Sequence, residues 1–219
     1  MTTKVFIACG LLASIQLAHA TEQPATIDRQ VYWGDTHLHT ANSFDAFLNR
    51  NMTAGPDTAY RYAKGQPVVH PYHKARVQIE TPLDFLVIAD HAEYLGAMPT
   101  ITYQGIPTDG LGFIDTLKAY YTEYWLRGVM EEDSGSDAFK RLLPERVDPN
   151  SSIGGIPNAS LMAKNTWQQA VVLADQYNDP GTFTTFIGWE WSSIPGGANL
   201  HRVVFTSSDA TVASTYMPF

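Results

Sequence analysis

The chain has 219 residues, of which 44% are apolar and 16% charged, and this balance excludes a disordered protein and suits one domain with a substantial core. The formal net charge of −8 argues against a nucleic-acid partner, because phosphate backbones select basic surfaces. The only cysteine is Cys9, so any metal site in the rest of the chain must use nitrogen and oxygen ligands.

The first 20 residues have the pattern of a secretory signal peptide. Lys4 precedes an apolar run over residues 5–17, which is too short to span a bilayer, and Ala18-His19-Ala20 has the form of a cleavage site. We therefore predict a periplasmic or secreted protein whose mature chain begins at Thr21 and makes no membrane contact. A buried first helix and a lipid-attached Cys9 are the alternatives.

Strand and helix patterns alternate along the remaining chain. In chain order they predict a strand over 31–40, a short helix over 57–64, a strand over 85–89, helices over 113–130 and 161–177, and strands over 183–187 and 201–205. Glycine and proline recur in the other parts of 41–78, in 97–112 and in 145–158, which we predict to be irregular. Strands separated by long helical segments indicate an α/β fold.

The helix predicted over 113–130 carries a broad apolar face of the kind that packs onto a core. Its members are Phe113, Leu117, Tyr120, Tyr121, Tyr124 and Leu126.

Acids and histidines end three of the predicted strands, and functional groups of α/β barrels gather at such ends. In chain order they are Asp35, His37 and His39, then Asp90 and His91, then Glu190. The first three are spaced by two residues, so on an extended strand they project from one face. Two imidazoles and a carboxylate on one face can bind a divalent metal ion. The alternative is a polar strand end whose histidines make ordinary hydrogen bonds.

These motifs, taken as an ordered set, resemble the polymerase and histidinol phosphatase (PHP) superfamily. Gly34-Asp35-Thr36-His37-Leu38-His39-Thr40 is similar to its first motif, and Ala89-Asp90-His91 to its second, with Ala89 in place of the usual threonine. Gly188-Trp189-Glu190 and Asn199-Leu200-His201 are similar to two later motifs. Adding Ser43-Phe44-Asp45-Ala46, Pro82-Leu83-Asp84-Phe85 and Trp191, the pattern most resembles the bacterial domain-of-unknown-function 3604 family, over residues 31–205.

The resemblance implies a distorted (β/α)7 barrel of the PHP type that holds two or three divalent ions of Zn, Mn or Fe. By position it implies metal ligands at His37, His39, Asp45, His91, Glu190 and His201. Among these, His37, His39 and Glu190 would share one ion, and Glu190 could bridge to a second. Asp35 and Asp90 would act in catalysis by orienting imidazoles.

The superfamily's C-terminal Asp-x-His motif has no counterpart after residue 91, where His201 is the only histidine. The resemblance therefore implies that residues 21–219 are the N-terminal part of a single metal-dependent hydrolase domain, with the barrel incomplete in this chain.

The predicted activity is hydrolysis of a phosphoester by metal-activated water, with a small anionic substrate that Arg202 could contact. Arg202 could equally be a surface residue. A metallohydrolase of carboxylic esters or amides is an alternative, as is a non-catalytic exported protein that binds metal or carbohydrate. His70 and His73 are either part of a substrate entrance or exposed loop residues. Trp189 and Trp191 are either core and pocket wall or a stacking platform.

Overall fold

A computed structural model describes residues 30–142, 155–193 and 200–218. Of residues 1–31, only residues 30 and 31 are described. The predicted signal peptide, residues 1–20, and most of the irregular segment 145–158 therefore lie outside the described residues. None of the described helices has the length and apolarity needed to cross a bilayer.

The main sheet is mixed and curls into a half-barrel. Its four strands, in the order in which they pair, are β1 (Gly34–Leu38), β4 (Phe85–Ile88), β5 (Thr184–Ser193) and β6 (Leu200–Thr206). The first three are parallel to one another, whereas β6 is antiparallel to β5. A small separate hairpin consists of β2 (Val68–Val69) and β3 (Arg76–Val77).

The described part of the chain has seven helices. They are α1 (Phe44–Leu48), α2 (Pro56–Ala63), α3 (Ala97–Tyr103), α4 (Phe113–Glu131), α5 (Gly135–Leu142), α6 (Ala159–Tyr177) and α7 (Ala210–Ala213). Helices α2 and α6 cover one face of the sheet and share an apolar core with it. A second core joins α1, α3, α4 and the start of α6.

Strand β5 has a different role on each of its two faces. Ile187 and Trp189 point towards the core shared with α6, where the Trp189 ring meets the Trp167 ring edge-on at 5.6 Å. Gly188 and Glu190 point the other way, because side chains alternate along a strand. A Cβ at Gly188 would lie 2.8 Å from both the Phe205 Cβ and the Val204 carbonyl oxygen. Glycine is therefore what lets β6 lie so close to this part of β5.

The predicted α/β class is confirmed, and so are the three predicted helices, within two residues at each end. The short helices α1 and α3 lie where we predicted irregular chain, so those predictions were wrong. In α3 the misleading signal was Pro99. Proline is tolerated in the first turn of a helix, where a backbone N–H has no intrahelical partner to lose.

The apolar face predicted for α4 is mostly exposed, which corrects that expectation. Phe113 is 79% exposed and Tyr124 is 77% exposed, and of the six expected members only Leu126 is buried. The buried stripe instead consists of Ala119, Leu126, Val129 and Met130. Apolar residues surround most of this helix, so periodicity alone could not show which face would meet α3.

Candidate metal centre

The polarity of the four strands brings the predicted residues to one edge of the sheet. His37 lies in β1 and His39 just beyond it. His91 follows β4, and its backbone forms an isolated parallel β-bridge with Glu190 in β5. These positions meet because parallel strands end at a common edge. Strand β6 runs the opposite way, so its beginning reaches this edge and places His201 opposite Ser192.

Glu190 is the centre of the cluster, and its side chain is fully buried. One carboxylate oxygen, Oε2, lies 2.8 Å from His37 Nε2 and 2.7 Å from His39 Nε2. The same oxygen lies 3.6 Å from His91 Nε2. The other oxygen, Oε1, contacts His201 Nδ1. Four imidazoles therefore surround a single carboxylate.

Asp45 lies in the first turn of α1 and contacts the side of His39 that faces away from Glu190. Both of its carboxylate oxygens are 3.1 Å from His39 Nδ1, and Oδ2 is 3.8 Å from His91 Nε2. The Ser43 hydroxyl donates to Asp45 Oδ1 at 2.5 Å and accepts the His91 backbone N–H at 3.2 Å. Asp45 is therefore held in place and fixes the orientation of the His39 ring.

Charge within the cluster shifts the pKa values of its members. Burial by itself would raise the pKa of Glu190, but hydrogen bonds from His37 and His201 and nearby imidazolium charge bring it below the ordinary value. Burial by itself would lower the pKa of His39, but Asp45 and Glu190 raise it overall. The centre thus attracts positive charge, which either protons or a metal ion can supply.

Two groups of side chains in the described part of the chain could each hold a metal ion. His37, Glu190 and His201 form one group, and His39, His91 and Glu190 form the other, with ligand atoms within 4.8 Å of one another in each. Glu190 is common to both. The resemblance implied that His37 and His39 share one ion with Glu190; their Nε2 atoms contact the same Glu190 oxygen but belong to different groups, and Asp45 belongs to neither group.

His39 shows how well the second group fits a cation. Its Nδ1 is used by Asp45, whereas its buried Nε2 makes no hydrogen bond within the described residues. That nitrogen nevertheless lies 2.7 Å from Glu190 Oε2. In a neutral ring two lone pairs would face each other across this short distance, which is unfavourable without a cation between them. Nitrogen and oxygen ligands of this kind suit Zn²⁺ and similar divalent ions.

Asp90 is buried, and its hydrogen bonds go to Thr40 rather than to an imidazole. Oδ1 accepts the Thr40 backbone N–H at 2.5 Å and Oδ2 accepts the Thr40 hydroxyl at 2.7 Å. Burial raises the pKa of Asp90 to about 6. These bonds attach the chain after β1 to the end of β4, so they position His39 relative to His91. Asp35 is exposed and accepts the His37 backbone N–H at 2.7 Å.

Arg202 is not brought to the cluster. Because it follows His201 by one residue on a strand, it projects from the opposite face of the sheet. Its guanidinium lies 5.5 Å from the centre of the Trp191 ring, which shares that face. His70 and His73 lie in the β2–β3 hairpin, with ring centres 4.8 Å apart.

Sequence reasoning missed two residues beside the cluster, Glu93 and Ser192. Glu93 lies 3.4 Å from His91 Nδ1, and the Ser192 hydroxyl lies 3.1 Å from the same nitrogen. A signal for each was available in the spacing. Glu93 follows His91 by two residues, and Ser192 follows Glu190 by two on a strand, so it shares the face of Glu190.

A known protein family matches the chain over most of its length. The family described as "Protein of unknown function (DUF3604)" matches residues 26–219. No curated protein and no solved structure matches the chain. Since the family match covers most of the sequence, the chain belongs to the DUF3604 family.

Proposed function

We propose that this protein is an exported, metal-dependent hydrolase that cleaves phosphoesters, built on a PHP-type (β/α)7 barrel. The observation that supports it most strongly is the fully buried Glu190 carboxylate surrounded by His37, His39, His91 and His201. A buried carboxylate with several imidazoles is costly to assemble for structure alone, because charged groups lose hydration on burial. Such clusters are typical of functional sites.

We further propose two divalent ions, of Zn, Mn or Fe, one in each donor group, with Glu190 shared between them. His37 and His201 would hold one ion together with Glu190, and His39 and His91 would hold the other. Bound ions of this type lower the pKa of water and bind the oxygens of a phosphoester.

The protein residues divide into buried and exposed ligands. The side chains of His39 and His91 are largely buried, so contacts with protein atoms rather than with water fix their positions. The His37 and His201 side chains are 45% and 43% exposed and face an open cavity of about 370 Å³. A site with an open side admits substrate and water, whereas a closed site is structural. This openness favours catalysis over a purely structural metal site.

We predict that the purified protein hydrolyses phosphomonoesters or phosphodiesters and that chelation reduces turnover to background. Addition of Mn²⁺ or Zn²⁺ should restore it, because the ligand set offers only nitrogen and oxygen donors. Turnover is measured in parallel on phosphoesters and on carboxylic esters. Hydrolysis of carboxylic esters alone would contradict the substrate class, and metal binding without turnover of either would contradict the enzyme.

Because His37 and His39 belong to different donor groups, we predict that their substitution removes different metal ions. His37→Ala should lose one ion and keep the other, since it removes a ligand only from the group with His201. His39→Ala should lose the complementary ion. Elemental analysis gives metal per chain, and Glu131→Gln, an exposed residue of α4, is the control. Full metal content in both histidine variants would contradict the assignment of the site.

A further inference from the structure

Glu93 is a partly buried acid that the proposed metal centre does not use as a ligand. Its side chain is 16% exposed and lies in the turn after β4. Oε1 accepts the backbone N–H of Ser192 at 3.1 Å. Oε2 is buried, makes no hydrogen bond to any described residue, and lies 3.4 Å from His91 Nδ1. An incompletely paired buried carboxylate is costly and calls for an explanation.

The backbone holds this carboxylate firmly next to His91. The Glu190 N–H donates to the Asp90 carbonyl at 3.0 Å, and the Ala92 N–H donates to the Glu190 carbonyl at 2.8 Å. These bonds continue the pairing of β4 with β5 beyond the end of β4. Glu93, the next residue after Ala92, is thereby placed at a fixed distance from Ser192 and from the His91 ring.

The Ser192 hydroxyl contacts both Glu190 and His91. This hydroxyl donates its one hydrogen to Glu190 Oε1 at 3.1 Å. It also lies 3.1 Å from His91 Nδ1, so in that contact it must accept. With that hydrogen on Glu190, the contact with Ser192 is a hydrogen bond only when Nδ1 carries the proton, and Nε2 then presents its lone pair to the donor group. Nε2 lies 3.6 Å from Glu190 Oε2.

Glu190 Oε2 and Asp45 Oδ2 lie 3.6 Å and 3.8 Å from Nε2 and would attract a proton to that nitrogen, whereas Glu93 favours the proton on Nδ1. With the proton on Nδ1, the Glu93 carboxylate faces an N–H dipole 3.4 Å away, which is attractive. With the proton on Nε2, the carboxylate would face a lone pair, and Ser192 would have to turn its hydrogen from Glu190 to His91. His91 could then no longer bind a metal through Nε2.

We propose that Glu93 is a positioning residue that, together with Ser192, fixes the tautomer of His91 and the orientation of Glu190. Glu190 belongs to both donor groups, so this one hydrogen-bonded network orients a ligand of each group. The effect on metal affinity rests on the proposed function, whereas the effect on the His91 tautomer does not. Partners of ligating histidines commonly change metal affinity by about 10–100-fold.

The test compares Glu93→Gln with wild type and with Glu80→Gln, an exposed glutamate that serves as the control. Nitrogen-15 NMR of the imidazoles reports the tautomer of His91, and competition with a chromophoric chelator gives Zn²⁺ affinity. In Glu93→Gln we expect loss of the pure Nδ1–H signature and an affinity lower by about 10–100-fold. The control should match wild type in both measurements.

Each outcome decides one claim. If wild type binds Zn²⁺ and Glu93→Gln retains both its affinity and the Nδ1–H signature, the positioning role is refuted. If wild type binds no metal, the proposed function fails, and the NMR signature alone still decides the role of Glu93. Should Glu93→Gln not fold, Ser192→Ala, which removes the acceptor from Nδ1, replaces it under the same two measurements, and wild-type values in that variant would refute the network.

Discussion

Glu190→Gln is expected to abolish metal binding in both donor groups. Glutamine has almost the same shape, so the fold should persist, but the substitution removes the only negative charge shared by the two groups. We expect affinity to fall by more than about 100-fold, beyond the usual effect of a residue that only orients a ligand. Metal per chain and Zn²⁺ competition measure the loss.

Glu190→Gln tests the shared role of Glu190 more directly than any histidine variant does. Each histidine change leaves one donor group complete, whereas Glu190→Gln leaves neither. Glu80→Gln again serves as the charge-matched control, because it changes the net charge equally at an exposed position. Retention of even one tightly bound ion by Glu190→Gln would show that Glu190 is not the shared ligand.

Trp167→Ala is expected to lower the free energy of unfolding by about 3–5 kcal/mol, the usual range for removing a large buried ring. Trp167 is 2% exposed and lies where α6 packs against the sheet. Its Nε1–H donates to the Ala213 carbonyl at 3.2 Å, and its ring contacts Trp189. The substitution therefore leaves a cavity between α6 and β5 and removes one of the two hydrogen bonds to the Ala213 carbonyl oxygen, which still accepts the Tyr216 N–H.

Urea unfolding of Trp167→Ala, Trp167→Phe and wild type measures this effect. Trp167→Phe keeps most of the apolar contact but loses the hydrogen bond, so it should cost about 0.5–1.5 kcal/mol, the usual net contribution of one hydrogen bond. Tyr124→Ala removes an aromatic ring that is 77% exposed and should stay within about 0.5 kcal/mol of wild type. Equal losses for Trp167→Ala and Tyr124→Ala would contradict the packing of α6 on β5.

The sequence by itself determined the local features of this protein. The alternation of side chains placed Asp35 and His37 on one face of β1, and the apolar run before Asp90 predicted a buried strand at β4. The helical periodicity of apolar side chains predicted the bounds of α4 and α6 to within two residues. These features depend on neighbours within a few residues, where alternation in strands and the 3.6-residue helical period apply.

Only the tertiary structure decided how these local pieces combine. The antiparallel direction of β6 brings His201 to Glu190 and turns Arg202 to the opposite face. A register shift between Asp35 and Leu38 interrupts the pairing of β1 with β4, and His39 lies beyond the end of β1. His37 and His39 thus fall in different donor groups.

The contacts of Glu93 and the exposed face of α4 were equally beyond the sequence pattern. Glu93 meets His91 and Ser192 only because β4 and β5 are paired in a particular register. In α4, apolar side chains surround most of the helix, so the packing of α3 and α5 against it selects the buried stripe. Strand direction, register and helix packing arise from contacts between residues far apart in the chain, and local periodicity carries no information about them.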